Sequence, residues 1–368
     1  MRRHASVEAA SRSRNSRGGS EVVSSVIMGN RFGVAIGVAL MTAFVSAHTQ
    51  APASPKPSAK AGYSVPKTPW GDPDLRGTYT SDNAIGVPFE RPAQFGDRAL
   101  MTDEEFAARE KANAIQVEKD LEERPESKFE EDNAANNAPR HWLERGFKLS
   151  RQTSFVIDPP NGRIPPMTPE GQQRVAERRA ARSGRGPVDG PEDRSNYDRC
   201  ISRGITSSIL PAIYGNGTRI LQGPGFVAIQ NEMIHEDRVV PLDGRPHVGG
   251  AIRAYMGDSR GHFDGGTLVV DTTNFSSNTA VGGFGTIPSP RMTLTERFTR
   301  TAADTIRYEF TVEDPGTYTR PWTAGLDLNT KPGYEIYEYA CHEGNYGMRN
   351  MLSAARAGEL AAEAAARK

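Results

Sequence analysis

The strongest candidate for chemistry in the sequence is Glu296, which interrupts the apolar face of a predicted β-strand. In residues 292–298 every second side chain is Met, Leu, Glu and Phe in that order, and alternate residues of a strand share a face. A buried carboxylate must be paired or have a raised pKa, and such carboxylates cluster at functional sites. The alternative is a structural ion pair with Arg253 or another arginine.

Three further residues are candidate acid–base partners of Glu296. Glu338 and His342 share one face of a predicted final strand, and His235 precedes the predicted strand 238–242. If the strands enclose a common interior, these groups would serve as acid and base in a hydrolase, lyase or isomerase. Dispersal in loops with structural hydrogen bonds is the alternative. No spacing is diagnostic of metal ligands, so no metal is predicted and the cofactor stays open.

Three other residues have the chemistry of a small-ligand pocket. Arg253 and Tyr255 share a face of the predicted strand 252–256, and Trp322 follows a proline in another predicted strand. Such side chains often line ligand sites. The alternatives are core packing for the two aromatic residues and a surface salt bridge for the arginine.

Known catalytic motifs fit poorly. Gly257–Gly261 reads G-x-S-x-G, but the hydrolase elbow requires a strand, a sharp turn and a helix. Here a predicted hairpin and strand follow Ser259, which favours a glycine-flanked turn. His235 and His342 each precede a glutamate, yet neither has a histidine four residues later, which excludes the helical zinc motif.

The two cysteines, Cys200 and Cys341, predict one disulfide if the chain is exported. It would close a loop of about 140 residues and add roughly 4 kcal/mol of stability by the loop-entropy model. The alternatives are two free thiols or a reactive Cys341. On the predicted final strand, Tyr337 and Tyr339 share a face with Cys341.

The elements that position these residues are predicted to be mainly strands. Short alternating segments separated by Asp-Gly and Gly-Gly turns run from residue 218 to 341 and predict an antiparallel meander. A long meander with one apolar face closes into a barrel or stacks on a second layer. The predicted fold is mostly β with peripheral helices, with a lipocalin-like barrel favoured and a β-sandwich second.

Local signals give the individual elements. Strands are predicted at 77–80, 219–222, 226–229, 238–242, 252–256, 267–272, 293–299, 305–312 and 334–340. A capping box formed by Thr102 and Glu105 opens a helix that continues to about Leu121. Thr168 with Pro169 opens a second helix that fades by residue 183.

The N-terminus predicts export. The apolar run 32–45 follows Arg31 and precedes Val-Ser-Ala at 45–47, as in a signal peptide, and is shorter than the roughly 20 residues of a spanning helix. A retained anchor helix is the alternative. The predicted organisation is a signal region 1–47 with Met28 as an alternative start, a Pro-rich linker 48–69, an irregular wrapping segment with two helices 70–217, a β-meander domain 218–351 and a C-terminal helix 352–368. The location would be periplasmic or secreted, with no membrane span after cleavage.

Charge argues against a nucleic-acid partner. Lys plus Arg and Asp plus Glu each number 45, and residues after 47 carry 39 basic and 43 acidic side chains. This balance provides no global basic field. The locally basic segment 174–185 is predicted to be the solvated face of a short helix, with a nucleic-acid patch as the alternative.

Three blocks carry a resemblance: PWGDPDLRGTY at 69–79, GDSRGHFDGGTLVV at 257–270 and YACHEGNYG at 339–347. Together they resemble a family of uncharacterised exported bacterial proteins, over residues 70 to about 351. The resemblance implies export and supplies no catalytic residues. Tyr79 and Phe263 stand where tryptophan looks more usual, and both keep an aromatic ring.

Three functions are compatible with these patterns. The first is binding of a small, partly apolar molecule in the barrel or sheet concavity. The second is an enzyme that uses a buried Glu–His acid–base pair. The third is a structural or surface-interaction protein without a pocket.

Overall fold

Ten antiparallel strands and four α-helices organise the chain in a computed structural model that describes residues 63–121, 143–146, 148–279 and 287–367. The strands are β1 Gly77–Thr80, β2 Val156–Asp158, β3 Gly217–Gly223, β4 Phe226–Asn231, β5 Glu236–Pro241, β6 Asp258–Asp264, β7 Thr267–Thr273, β8 Thr293–Ala302, β9 Thr305–Glu313 and β10 Trp322–Asn329. The helices are α1 Asp103–Leu121, α2 Pro169–Ala181, α3 Ile205–Ile209 and α4 Tyr346–Ala366. The predicted signal region and residues 48–62 of the predicted linker lie outside the described residues.

Local sequence accounts for the helix starts. The backbone N–H of Thr102 donates to Glu105 Oε2 at 2.8 Å, and the N–H of Glu105 donates to Thr102 Oγ1 at 3.3 Å. This reciprocal pair satisfies two donors that the first turn of α1 leaves free. Thr168 caps α2 by accepting a 3.0 Å hydrogen bond from the N–H of Gly171. Both predicted helix starts are therefore confirmed.

All ten strands belong to one sheet. Its order is β5-β4-β3-β1-β10-β9-β8-β7-β6, and β2 pairs with β10 beside this path. Strand β1 therefore lies between β3 and β10. The segment predicted to wrap the sheet, residues 70–217, thus supplies one of its inner strands.

The prediction of a mostly β fold with peripheral helices is confirmed, but a closed barrel is not. The sheet is open, because no backbone ladder joins the edge strands β5 and β6 among the described residues. Side chains still bridge these strands, since Arg238 Nη1 donates to Ser259 Oγ at 3.4 Å. At Gly261, a Cβ would lie 2.7 Å from Val240 Cγ1 and 2.8 Å from Leu242 Cδ2, so the two edges approach closely.

The core follows the predicted alternation on β9. Ile306, Tyr308, Phe310 and Val312 point inward and are at most 1% exposed. They pack with apolar residues from most other strands, including Leu294 and Phe298 of β8. Among the described residues, no helix is both long enough and apolar enough to cross a membrane.

Four predicted details are wrong. Residues 252–256 contribute a single bridge, between Ala254 and Phe275, rather than a strand, and residues 334–340 form no strand. Conversely, the expected turn around Ser259 is the strand β6, and α4 begins at Tyr346 instead of at residue 352. Alternation reports which side chains share a face, but a strand also requires a neighbouring backbone to pair with.

Candidate functional site

Glu296 lies in a polar cluster in the interior, together with Arg238 and Tyr308. Its side chain is 0% exposed. Arg238 donates from both terminal nitrogens, with Nη2 2.9 Å from Glu296 Oε1 and Nη1 bonded to Oε2. The Tyr308 hydroxyl donates to Oε1 at 3.0 Å. We call these three residues the interior cluster.

The interior cluster is electrostatically satisfied. Burial acts to lower the pKa of Arg238, but the adjacent Glu296 carboxylate outweighs it and holds that pKa above its usual value. Burial, reinforced by the same carboxylate, raises the pKa of the Tyr308 hydroxyl well above the ordinary value. Glu296 therefore has the structural arginine partner that the sequence left as the alternative, and this partner is Arg238 rather than Arg253.

The predicted acid–base partners do not join Glu296. Glu338 and His342 are exposed in the segment that was expected to be a strand. His235 is exposed at the end of the short turn Met233–His235 and has a positive φ of 57°. Among the described residues, the hydrogen bonds of the Glu296 side chain go to Arg238 and Tyr308 and to none of these three. The described residues also contain no group of three or more His, Cys, Asp or Glu that is placed to hold a metal.

The predicted ligand-binding residues are dispersed. Trp322 is 1% exposed and packs edge-on against Phe89, Phe310 and Tyr318, with ring centroids 5.7 to 5.9 Å apart, so it belongs to the core. Arg253 is exposed and donates to two backbone carbonyls, of Phe275 at 3.2 Å and of Pro290. Tyr255 is half-buried, and its carbonyl accepts a hydrogen bond from Thr279.

A cavity of about 890 Å³ instead lies beside the disulfide between Cys200 and Cys341. The predicted disulfide is thus confirmed, and it joins the two segments that form much of the cavity wall. The other lining residues that matter here are four tyrosines, one methionine and four acids: Tyr197, Tyr214, Tyr337, Tyr339, Met351, Glu144, Asp198, Glu232 and Glu338. We call this cavity the tyrosine pocket.

Three of the tyrosines form one aromatic wall. The hydroxyls of Tyr197 and Tyr339 are 3.3 Å apart, and the rings of Tyr214 and Tyr339 stack with centroids 6.5 Å apart and planes inclined by 15°. Burial raises the pKa of both Tyr197 and Tyr339. These phenols are therefore neutral at physiological pH and line the cavity as uncharged aromatic groups.

Two glutamates of the pocket share one phenol. The Tyr334 hydroxyl lies 2.7 Å from Glu232 Oε2 and 3.1 Å from Glu144 Oε1. A phenol has one proton, so it can donate to only one of these oxygens. Burial raises the pKa of Glu232, and the nearby charge of Glu144 adds to this effect. The site therefore concentrates negative charge and holds a carboxyl that takes up a proton more readily than usual.

Backbone and amide donors fix both carboxylates. Glu144 accepts from the N–H of Gly215 at 2.9 Å and from Asn216 Nδ2 at 2.6 Å. Glu232 accepts from the N–H of Gly217 at 3.2 Å. A Cβ at Gly217 would lie 2.5 Å from Glu232 Oε2, so only glycine allows this approach.

Sequence reasoning found only part of this site. It identified both cysteines and Glu338, and it placed Tyr337 and Tyr339 on one face with Cys341. Glu144, Glu232 and Tyr334 were missed because they come from three distant segments, and none interrupts an apolar pattern. The available signal was the tyrosine-rich run 334–339 next to a cysteine.

Comparison with known proteins gives no match for this chain: no family model fits it, no curated protein is significantly similar to it, and no solved structure is significantly similar to it.

Proposed function

We propose that this protein binds a small, partly apolar organic cation in the tyrosine pocket. The observation that carries the proposal is the charge of the lining. Among the described residues, the lining contains four carboxylates and no lysine, arginine or histidine. One of the four, Asp198, is paired with Arg194 at 2.9 Å, which leaves three glutamates to attract a cation.

The aromatic wall supports the same ligand class. Cations are attracted to the faces of tyrosine rings, with about 0.5–2 kcal/mol per contact, and clustered rings recognise quaternary ammonium groups. Met351 and the disulfide add apolar surface beside the rings. A volume of about 890 Å³ suits a small molecule, for which pockets span roughly 300–1,000 Å³.

Binding is preferred over the two other predicted functions for structural reasons. The enzyme hypothesis relied on Glu296 with a nearby histidine, whereas the Glu296 carboxylate accepts hydrogen bonds from Arg238 and Tyr308. A purely structural role predicts a filled protein without a pocket, whereas the tyrosine pocket is preformed and has fixed polar groups.

We extend the proposal to location and family. The disulfide, together with the lack of a membrane-spanning helix in the described part of the chain, is compatible with an extracytoplasmic protein. We propose that it is periplasmic or secreted and belongs to the exported family that its three sequence blocks resemble. We also propose a barrel-like arrangement, supported by the Arg238–Ser259 contact between the two sheet edges.

Calorimetric titration of the full chain tests the proposed ligand class. Choline and benzyltrimethylammonium are the cations, and the neutral tert-butyl analogue of choline is the control ligand. We expect the cations to bind at least about tenfold more tightly than the neutral analogue, a difference of about 1.4 kcal/mol. Equal binding of the charged and neutral ligands, or no binding of either cation, would contradict the proposal.

Matched variants locate the binding. Glu232→Gln removes one charge from the pocket and should weaken cation binding about tenfold. Glu313→Gln removes an exposed charge from β9, outside the pocket, and should leave the affinity unchanged. An equal loss in both variants would indicate attraction by the overall charge rather than by the pocket.

A further inference from the structure

A second cavity, of about 860 Å³, borders the tyrosine pocket and carries the opposite charge. Tyr197 lines both cavities. Among the described residues, two acids, Glu192 and Asp193, line the second cavity. Six arginines line it: Arg178, Arg182, Arg185, Arg194, Arg199 and Arg203. We call this cavity the arginine groove.

Part of the groove is held together by Asp193. Its side chain is 4% exposed and accepts two hydrogen bonds from Arg185, at 2.9 Å and 2.6 Å. Arg182, which directly follows α2, donates to the Asp193 carbonyl at 2.7 Å. These contacts hold the loop that contains Asp193 against the end of α2. They also neutralise the more buried of the two acids that line the groove.

Two other arginines have no acid within ion-pair distance. Among the described residues, neither Arg199 nor Arg203 forms a salt bridge, and neither guanidinium donates a hydrogen bond. Arg203 is half-buried, and its guanidinium lies 5.7 Å from the centroid of the Tyr197 ring. The nearby acid Glu236 does not form an ion pair with this guanidinium. Its Oε2 accepts instead from the Arg203 backbone N–H at 3.2 Å and from Ser208 Oγ at 3.1 Å.

Burial makes these free donors unfavourable without an anion. Burial lowers the pKa of Arg203, which reports the loss of hydration around its charge. The Nε–H of Arg194 is also buried and has no acceptor among the described residues. Buried charges and donors are normally compensated by a partner, and the protein side of this groove does not provide enough acids.

We propose that the arginine groove binds a small multivalent oxyanion, a molecule that carries phosphate or sulfate groups. Planar guanidinium groups match such groups with paired hydrogen bonds, and several arginines around one concave surface suit an ion with more than one negative charge. The volume of about 860 Å³ suits a small molecule, for which pockets span roughly 300–1,000 Å³. None of the six arginines lines the tyrosine pocket, although Arg203 lies over Tyr197, a ring that both cavities share. Arg199→Gln is therefore the variant that separates the two sites.

Titration with inorganic pyrophosphate and with inorganic sulfate, at constant ionic strength, tests this site in the full chain. We expect saturable pyrophosphate binding that Arg203→Lys weakens about tenfold. Lysine keeps the charge but lacks the planar guanidinium that donates paired hydrogen bonds. Arg199→Gln should weaken the binding as well. Arg179→Gln is the matched control, since Arg179 is exposed on α2 and does not line the groove.

The outcomes separate the possibilities. Pyrophosphate binding that is unchanged by Arg199→Gln and Arg203→Lys would overturn the proposal. Absence of pyrophosphate binding would overturn it too. Binding of a uridine homopolymer would not rescue the proposal in that case, because a long polyanion needs only an extended basic surface. Cation binding in Arg199→Gln should equal that of the unmodified protein, so failure at one site is distinguishable from failure at the other.

Discussion

Two glutamates enclosed by this fold, Glu296 and Glu232, have contrasting partners. Glu296 is 0% exposed and is bonded to Arg238 and Tyr308. Glu232 is half-buried and faces Tyr334 and a second carboxylate, and no basic residue pairs with it in the described part of the chain. The charge of Glu296 is therefore compensated within the fold, whereas the charge of Glu232 remains available to a ligand.

This contrast shows that burial alone does not identify a functional carboxylate. Structural ion pairs also place acids in protein interiors, and the identity of the partner decides what an acid can do. Substitutions in the two environments should therefore have different effects, on stability at Glu296 and on ligand binding at Glu232.

The largest expected effect is on the interior cluster. Arg238→Met leaves Glu296 buried and unpaired, which should lower the free energy of unfolding by about 3–5 kcal/mol. Denaturant unfolding measures this loss. Arg238→Met combined with Glu296→Leu should recover much of it, because no charge stays buried. As a control, Arg297→Met breaks an exposed pair with Asp264 and should cost less than about 1 kcal/mol. Equal losses for Arg238→Met and Arg297→Met would contradict the structural role of Arg238.

The next effect concerns the disulfide that borders the tyrosine pocket. Replacing Cys200 and Cys341 together by serine should lower the free energy of unfolding by up to about 4 kcal/mol. Cation binding should also weaken, because the two wall segments lose their covalent link. Calorimetric titration under conditions where the variant is folded checks this. Unchanged affinity in the folded variant would show that the pocket does not depend on the link.

The third prediction concerns the pH dependence that Glu232 gives to stability and to cation binding. Because the folded-state pKa of Glu232 is raised, the native state retains a proton that the unfolded state has released. As pH rises from the ordinary carboxyl pKa of about 4.3 through this raised value, Glu232 lowers stability, and below that range the effect is absent. Cation affinity should increase over the same range, because the deprotonated form attracts the ligand.

Glu232→Gln provides the control for this pH dependence. The difference between the unmodified protein and the variant isolates Glu232 from the other titrating groups. Titrations across the acid-to-neutral range should show a rise in affinity for the unmodified protein and a flatter profile for the variant. Identical profiles in the two proteins would remove Glu232 from the binding site.

The smallest effect is expected at the aromatic wall. Tyr339→Phe removes the hydroxyl that lies 3.3 Å from that of Tyr197 but keeps the ring, so cation affinity should fall by no more than about threefold. Tyr339→Leu removes the ring face and should cost more, by about 0.5–2 kcal/mol of binding free energy. Calorimetric titration compares the two variants. A larger loss with phenylalanine than with leucine would show that hydrogen bonding, rather than the ring face, holds the ligand.

Local signals predicted much of the fold. The capping residues Thr102 and Thr168 begin helices as expected, and the alternation in 305–312 corresponds to β9. These features depend on neighbours in sequence, so the sequence alone can reveal them. The pairing of Cys200 with Cys341 was predictable because the chain has only two cysteines.

Long-range partners could not be predicted in the same way. The position of β1 between β3 and β10 depends on which backbones pair, and no local pattern encodes that. Glu296 was recognised as unusual, but the choice of Arg238 depends on how β5 and β8 face each other across the interior. The parts of the tyrosine pocket were not recognised as one site, because its walls come from segments more than 100 residues apart, joined at Cys200–Cys341 with a separation of 141.

The most direct test of the central claim is a crystal structure of the protein with a bromobenzyl trimethylammonium ion, located by the anomalous signal of bromine. The account predicts one bromine peak in the tyrosine pocket, with the ammonium group within about 6 Å of a tyrosine ring. A peak in the arginine groove or elsewhere, or no ordered ligand at concentrations that saturate binding in solution, would contradict it.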